Sequence, residues 1–314
     1  MNNKSYQQLT RTFQRLSRFS HLSAIASWDM FAMMPPGGSA ARGEALAELS
    51  VLEHQILTAP DVAGWITAAE QENLNDVEQA NLREMSRLHH QAALLPEALV
   101  EAKSLAGSRC EHAWRSQRPA NDWQGFSQNL KEVVKYSREE AKLRAEAKGC
   151  TPYDALLDIY EPDMTSARLD VLFADLKSWL PALLNKVVDK QAQQSLIAPE
   201  GPFPAATQRE LGLATMSMLG FDFNAGRLDI SAHPFCGGVP EDVRITTRYD
   251  ENELLSALFG VIHETGHARY EQNLPRHWLG QPIALARSTA IHESQSLFFE
   301  MQLGRSHAFL LSAP

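Results

Sequence analysis

Cysteine is scarce. The three present, Cys110, Cys150 and Cys236, are odd in number and form no C-x-x-C pair. That excludes a disulfide framework and fits a reducing compartment. Basic tracts are missing too, with 29 Lys and Arg against 38 Asp and Glu and a net charge of −9. No nucleic-acid footprint is therefore expected, and the acidity mainly favours solubility. No apolar run approaches the length of a membrane span, and Met1-Asn2-Asn3-Lys4-Ser5 leads into polar residues without the apolar segment of a leader. A cytoplasmic address with no membrane partner is the expectation. There is no internal repeat. What is present is ordinary globular composition, 44% hydrophobic and 21% charged over 314 residues, enough for a substantial core.

Most of residues 1–200 read as helices separated by short turns, a helical lobe. Pro35-Pro36-Gly37-Gly38 parts two helical patterns, Pro96 opens another, and Asn121-Asp122 offers an N-cap for a run ending near Lys148-Gly149. Glu140 and Arg144 in that run stand at i,i+4, which predicts a solvated charged face. From about Ser166, the residues Leu169, Leu172, Phe173, Leu176 and Trp179 recur at the spacing of a core-facing stripe. Ala198-Pro199-Glu200-Gly201-Pro202-Phe203-Pro204 is the clearest loop and the expected boundary with residues 201–314. Only there does strand pattern appear. Residues 228–231 and 243–249 alternate and are rich in β-branched side chains, with the Gly/Pro connection 233–240 between them, which predicts a small antiparallel sheet.

The most informative stretch is His263-Glu264-Thr265-Gly266-His267, an H-E-x-x-H within an apolar-periodic run. Residues four apart share a helix face, so the two imidazoles can meet one ion while Glu264 handles a proton. The alternative is a helix with two partly buried structural histidines. A catalytic zinc site needs three protein ligands and an open position. After His267 the pattern meets breakers at Pro275, Gly280 and Pro282, and a second helical run begins near Leu285, forming a hairpin. His267 lies about 8 residues before the turn and Glu293 about 11 after it, which makes the arms roughly 12 and 16 Å long. Glu293 thus returns level with the histidines. Glu271 is a rival on the histidines' own helix, but three ligands in one row cannot surround a tetrahedral ion. Glu300 is nearly two turns further on and is expected to overshoot. His292 points about 100° from Glu293 and suits a supporting or substrate-facing role. Gly266 costs about 1 kcal/mol relative to Ala inside a helix, and close approach by a neighbouring backbone is one candidate reason.

His233-Pro234-Phe235, the D-x-R-x-T run of Asp242, Arg244 and Thr246, the H-E-x-x-H and His292-Glu293-Ser294 occur in one order. In that order and spacing the chain resembles the M32 family of metallocarboxypeptidases. Weaker likeness includes Trp28-Asp29 with Met34-Pro35, and Tyr153-Asp154-Ala155-Leu156-Leu157 running into Tyr160-Glu161-Pro162. The resemblance implies a mainly α, large helical metallopeptidase fold with the small sheet beside the zinc helix. It also implies cleavage of peptides with a free C-terminus, and a homodimer. Two further family motifs, I/N-x-x-A/S-D and G-x-x-Q-D-x-H-W, do not occur in the 314 residues. The expectation is a single domain, residues 1–314, truncated at its C-terminus and weakly active or inactive.

A divalent ion on His263, His267 and Glu293 would bring a bound water to a pKa of about 7, with Glu264 as general base. Zinc is expected, and cobalt or manganese suits the same donors. Arg244, oriented by Asp242, is the candidate for the terminal carboxylate, and His233, Pro234 and Phe235 resemble the family segment that closes one end of the groove. The competing readings are an endo-acting or dipeptidyl metallopeptidase and a non-enzymatic helical interaction module.

Overall fold

The computed structural model describes residues 3–195 and 199–312. Ala198, the first residue of the expected boundary loop, lies outside them. Helix α1 (Lys4–Ala32) buries Tyr6, Leu9, Phe13 and Leu16 at spacings of three and four, the stripe of an amphipathic helix. Those side chains pack on Val62 and Ile66 of α3 (Pro60–Ala69) and on Leu82 and Met85 of α4 (Asp76–Ala93). Leu9 and Met85 are fully buried, each contributing about 1.5–3 kcal/mol. Between α1 and α3, Pro36–Gly38 forms a single 3-10 turn before α2 (Ser39–Leu57). The start of α4 is fixed by a reciprocal cap between Asn75 and Glu78.

Pro96 precedes α5 (Glu97–Gln117), and Asp122 caps α6 (Trp123–Lys148) by accepting from the Gly125 amide. Gly149 closes α6 in the left-handed conformation, φ 69°, where a side chain would be strained. Glu140 departs from the expected solvated face, since it is buried between α5 and α6. Arg144 bonds it at 2.8 Å, and Lys103 of α5 reaches across to its other oxygen. The i,i+4 pattern identifies the Arg144 partner but carries no information on the helix that packs over both. Burial alone would raise the Glu140 carboxyl, yet Lys103 and Arg144 hold it below its ordinary value. Its contribution to stability is complete above about pH 5 and is lost as the pH falls through the lowered value. Glu140→Gln should thus cost about 2 kcal/mol near pH 7, with the gap to the parent narrowing on acidification, read as urea midpoints at the two pH values. A gap independent of pH would remove the charge from this account.

Helix α7 (Pro152–Tyr160) is followed by α8 (Ser166–Gln191). None of the apolar stripe of α8 is buried; Leu172, Phe173 and Trp179 are each about half exposed. Helical spacing sets an apolar face without requiring that anything cover it. Helix α9 (Ala205–Met218) then leads into β1 (Gly226–Ile230), β2 (Cys236–Val239) and β3 (Asp242–Thr247). The sheet is mixed, not antiparallel throughout. Its order is β1-β3-β2, with β1 parallel to β3 and β2 antiparallel to it. The segment expected to be a mere connection is itself the reversing strand, so the chain turns back twice and β1 and β3 run the same way. Within β2, Gly238 sits at φ 90°, where an added Cβ would collide with the Asp242 carbonyl.

Helix α10 (Leu255–Gln272) lays Val261 and Ala268 on Val243 and Ile245 of β3, forming a second core with Met216 and Leu228. The chain then passes through short 3-10 turns to α11 (Thr289–Leu297), a π-helical segment Phe298–Gly304, and α12 (His307–Ser312). The connection is held from the N-terminal helices. Buried Asn81 donates to the Gln281 side chain at 3.2 Å and accepts from the Ile283 amide, while Gln281 donates to the Thr10 carbonyl at 3.1 Å.

Candidate metal centre

Because Val261 and Ala268 fix one face of α10 on the sheet, His263 and His267 turn away from it, with Glu264 and Glu271 along the margin between. Opposite them comes α11, which starts at Thr289, later than the expected Leu285, because Ser288 caps it through the Ile291 amide. Glu161 clamps the same end, accepting from Ser288 Oγ at 2.7 Å and from the Ala290 amide at 3.0 Å. That contact gives the Tyr160-Glu161-Pro162 motif its physical role. The two helices touch at Gly266, where a Cβ would lie 2.6 Å from Ser296 Cα and 2.8 Å from the Gln295 carbonyl. Backbone clearance is thus the reason for glycine there.

The close approach brings Glu293 level with both histidines. Its carboxylate oxygens lie 3.6 Å from His263 Nε2 and 3.2 Å from His267 Nε2, and the three ligand atoms fall within 4.8 Å of one another. Ligands at 2.0–2.1 Å from a tetrahedral zinc are separated by about 3.4 Å, a spacing these two distances bracket. Two imidazoles and a carboxylate also suit a borderline-soft dication. The donor set fits such an ion.

Hydrogen bonds fix which ring nitrogens are left free to meet an ion. Glu271 Oε1 is 2.7 Å from His292 Nε2, and His292 Nδ1 is 2.7 Å from His267 Nδ1. The Glu271 carboxylate accepts from His292 Nε2–H, so the bare Nδ1 of His292 accepts from His267 Nδ1–H, and the Nε2 lone pair of His267 is left for an ion. Burial, with His292 and His263 nearby, lowers His267 to a pKa of about 4, so its ring is neutral at pH 7. On the other imidazole, His263 Nδ1 donates to Glu300 at 3.0 Å, and Arg305 holds Glu300 at 2.6 Å while lying over the Phe259 ring. Desolvation works against the Glu300 charge, but Arg305 and His263 outweigh it and keep its pKa low. Glu300 thus stands on the Nδ1 side of His263, held by Arg305. Its supporting role was hidden because the second arm runs antiparallel to α10, so two turns past Glu293 is level with the outer edge of His263. Replacing His292 with Ala strands His267 Nδ1–H, and should weaken zinc binding about 10- to 100-fold in a chelator competition. An unchanged affinity would exclude the relay.

A cavity of about 500 Å³ opens beside this centre, walled by Pro234, Phe235, Gly237, Glu264, His267 and His292. Glu264 is 7% exposed. Burial is the main reason its pKa is pushed up to about 7, with His263 opposing and Glu293 adding to the rise. A neighbouring dication favours its ionised form. Thr246 of the D-x-R-x-T run holds the Pro234-Phe235 loop, its hydroxyl accepting from the Phe235 amide at 3.0 Å. His233 is exposed beside that loop. Asp242 and Arg244 fork together at 2.9 and 2.6 Å. They alternate with Val243, so they occupy the other face of β3, where Arg244 lies 4.6 Å above Trp28. Trp28 is what sequence reasoning missed there, although its Trp-Asp pair stood out.

The geometry defined here is that of a centre able to hold one divalent ion between two helices. Comparison with known proteins narrows it: the profile of the carboxypeptidase Taq (M32) metallopeptidase family matches residues 8–313. Thermostable carboxypeptidase 1 of Thermus thermophilus is 38% identical over 97% of this chain and 62% of its own. Carboxypeptidase 1 of Bacillus subtilis is 33% identical over 94% and 59%. Among solved structures, metallocarboxypeptidase 1 of Trypanosoma cruzi superposes with a TM-score of 0.88 at 48% identity, covering 98% of this chain and 62% of that one. The chain belongs to the M32 metallocarboxypeptidase family. It spans about three fifths of the length of the curated relatives it matches, and the family implies a divalent metal.

Proposed function

We propose that the site releases the C-terminal residue of peptides, as the names of the relatives indicate for those proteins. The observation that carries this reading is the convergence of His263, His267 and Glu293 beside the buried Glu264. A divalent ion there, zinc in this proposal with cobalt or manganese as substitutes, supplies Lewis-acid polarisation of water and of the scissile carbonyl. Glu264 takes the proton from the attacking water and passes it to the departing amine. The relays from Glu271 through His292 and from Arg305 through Glu300 keep both rings in the ligating tautomer. Strand β2 is a sheet edge whose residues line the cavity, which supports pairing with an extended peptide.

The Pro234-Phe235 loop is proposed to close one end of the groove, with Asp242 and Arg244 behind it on the other face of β3. Arg244 there is the partner proposed for a terminal carboxylate, and His233 is proposed as a substrate neighbour. Three unpaired cysteines support a cytoplasmic setting, and no helix of the described residues is long and apolar enough to cross a membrane. A homodimer belongs to the same proposal, and sedimentation equilibrium tests it. Product analysis on an N-blocked peptide tests the activity. Single amino acids released from the free C-terminus, with the amidated peptide left intact, are expected. Internal fragments would establish an endopeptidase, and released dipeptides a dipeptidyl enzyme. A chain that takes up no metal would be an interaction module.

A further inference from the structure

The cavity beside the metal ligands is acidic, with Glu264 and Glu271 in its wall. Among the described residues lining it, Arg287 is the one Lys or Arg side chain. It stands just before the cap of α11, in a position set by Ser288 and its Glu161 clamp. Only its Nε is engaged, at 3.3 Å from Glu84 Oε1. Glu84 is already held by Arg87 at 2.7 Å through its other oxygen. No hydrogen bond among the described residues takes the two terminal nitrogens of Arg287, and its side chain is about half exposed. A guanidinium with its outer edge open, lining a cavity otherwise furnished with carboxylates, is suited to a carboxylate arriving with a ligand.

We infer that Arg287 is a carboxylate-binding residue of the cleft, receiving either the terminal carboxylate of a substrate or an acidic side chain next to the scissile bond. This rests on reading the cavity as a peptide-hydrolysing cleft. Glu84 orients Arg287 through Nε and leaves the fork free, whereas Arg244 has its fork closed by Asp242.

The test uses zinc-loaded chain and three probes followed by NMR titration: N-acetyl-leucine, N-acetylglutamate α-amide and N-acetyl-leucinamide. Arg287→Gln is expected to weaken one of the two carboxylate probes about tenfold or more. The neutral leucinamide should be unaffected, and Arg287→Lys should restore part of the loss. Loss on N-acetyl-leucine assigns Arg287 to the terminal carboxylate; loss on the glutamate amide assigns it to an acidic side chain. Equal binding of both carboxylates to parent and variant, equal weakening of all three probes, or no saturable binding to the parent would overturn the inference. Zinc content measured on the same samples keeps the two readings apart. A chain without zinc refutes the metal centre, while the titrations repeated on metal-free chain still show whether carboxylate binding depends on Arg287.

Discussion

Gly266→Ala is expected to destabilise the protein by about 1–2 kcal/mol and to weaken zinc binding at least tenfold, although alanine is the better helix former. Two effects of opposite sign compete. Helix propensity alone predicts a gain of about 1 kcal/mol. Against it, the new methyl would sit 2.6 Å from Ser296 Cα, 2.8 Å from the Gln295 carbonyl and 3.0 Å from the Ser296 amide nitrogen. All three are backbone atoms of α11, so no rotamer change relieves the clash and the whole helix must shift. Overpacking of this kind costs about 1–3 kcal/mol, occasionally more. The same shift carries Glu293, two residues from Gln295, away from imidazoles it now meets at 3.2 and 3.6 Å. Urea denaturation and a chelator competition read the two consequences separately. Increased stability with unchanged affinity would show that the helices do not meet as described.

The second large effect falls on the proton carrier. Glu264→Gln keeps the size and burial of the side chain but removes the base, so release of C-terminal residues should fall by about 10²- to 10⁴-fold. Zinc content should stay the same, because the proposed ligands His263, His267 and Glu293 are untouched. Loss of zinc along with activity would make Glu264 a ligand and rewrite the mechanism.

Local sequence rules reach a definite distance into this molecule. Caps and breakers place Pro96, Asp122 and Gly149 at helix ends because each acts on backbone within its own few residues. The hairpin pattern brings Glu293 opposite His263 and His267, although α11 begins only at Thr289 and its arm is shorter than a count of about 1.5 Å per residue from the breakers gives. Where a residue's role depends on a partner distant in the chain, those rules stop. Glu140 reads as a surface charge until Lys103 of another helix lies over it. The β1 and β3 pairing reads as a hairpin until β2 takes up the reversal. Glu161 clamps a helix that begins 128 residues later, and Glu300 becomes useful only because α10 and the following arm run in opposite directions. In α8, Trp179 and its apolar neighbours keep the expected spacing, but spacing does not name a covering surface.

The most direct test of the central claim is an anomalous-difference map from crystals of the chain soaked in zinc. The account predicts one strong peak at about 2.0–2.2 Å from His263 Nε2, His267 Nε2 and a Glu293 oxygen, with Glu264 and Glu271 outside bonding distance. A peak ligated by Glu271 in place of Glu293, or no peak between the two helices at saturating zinc, would contradict it.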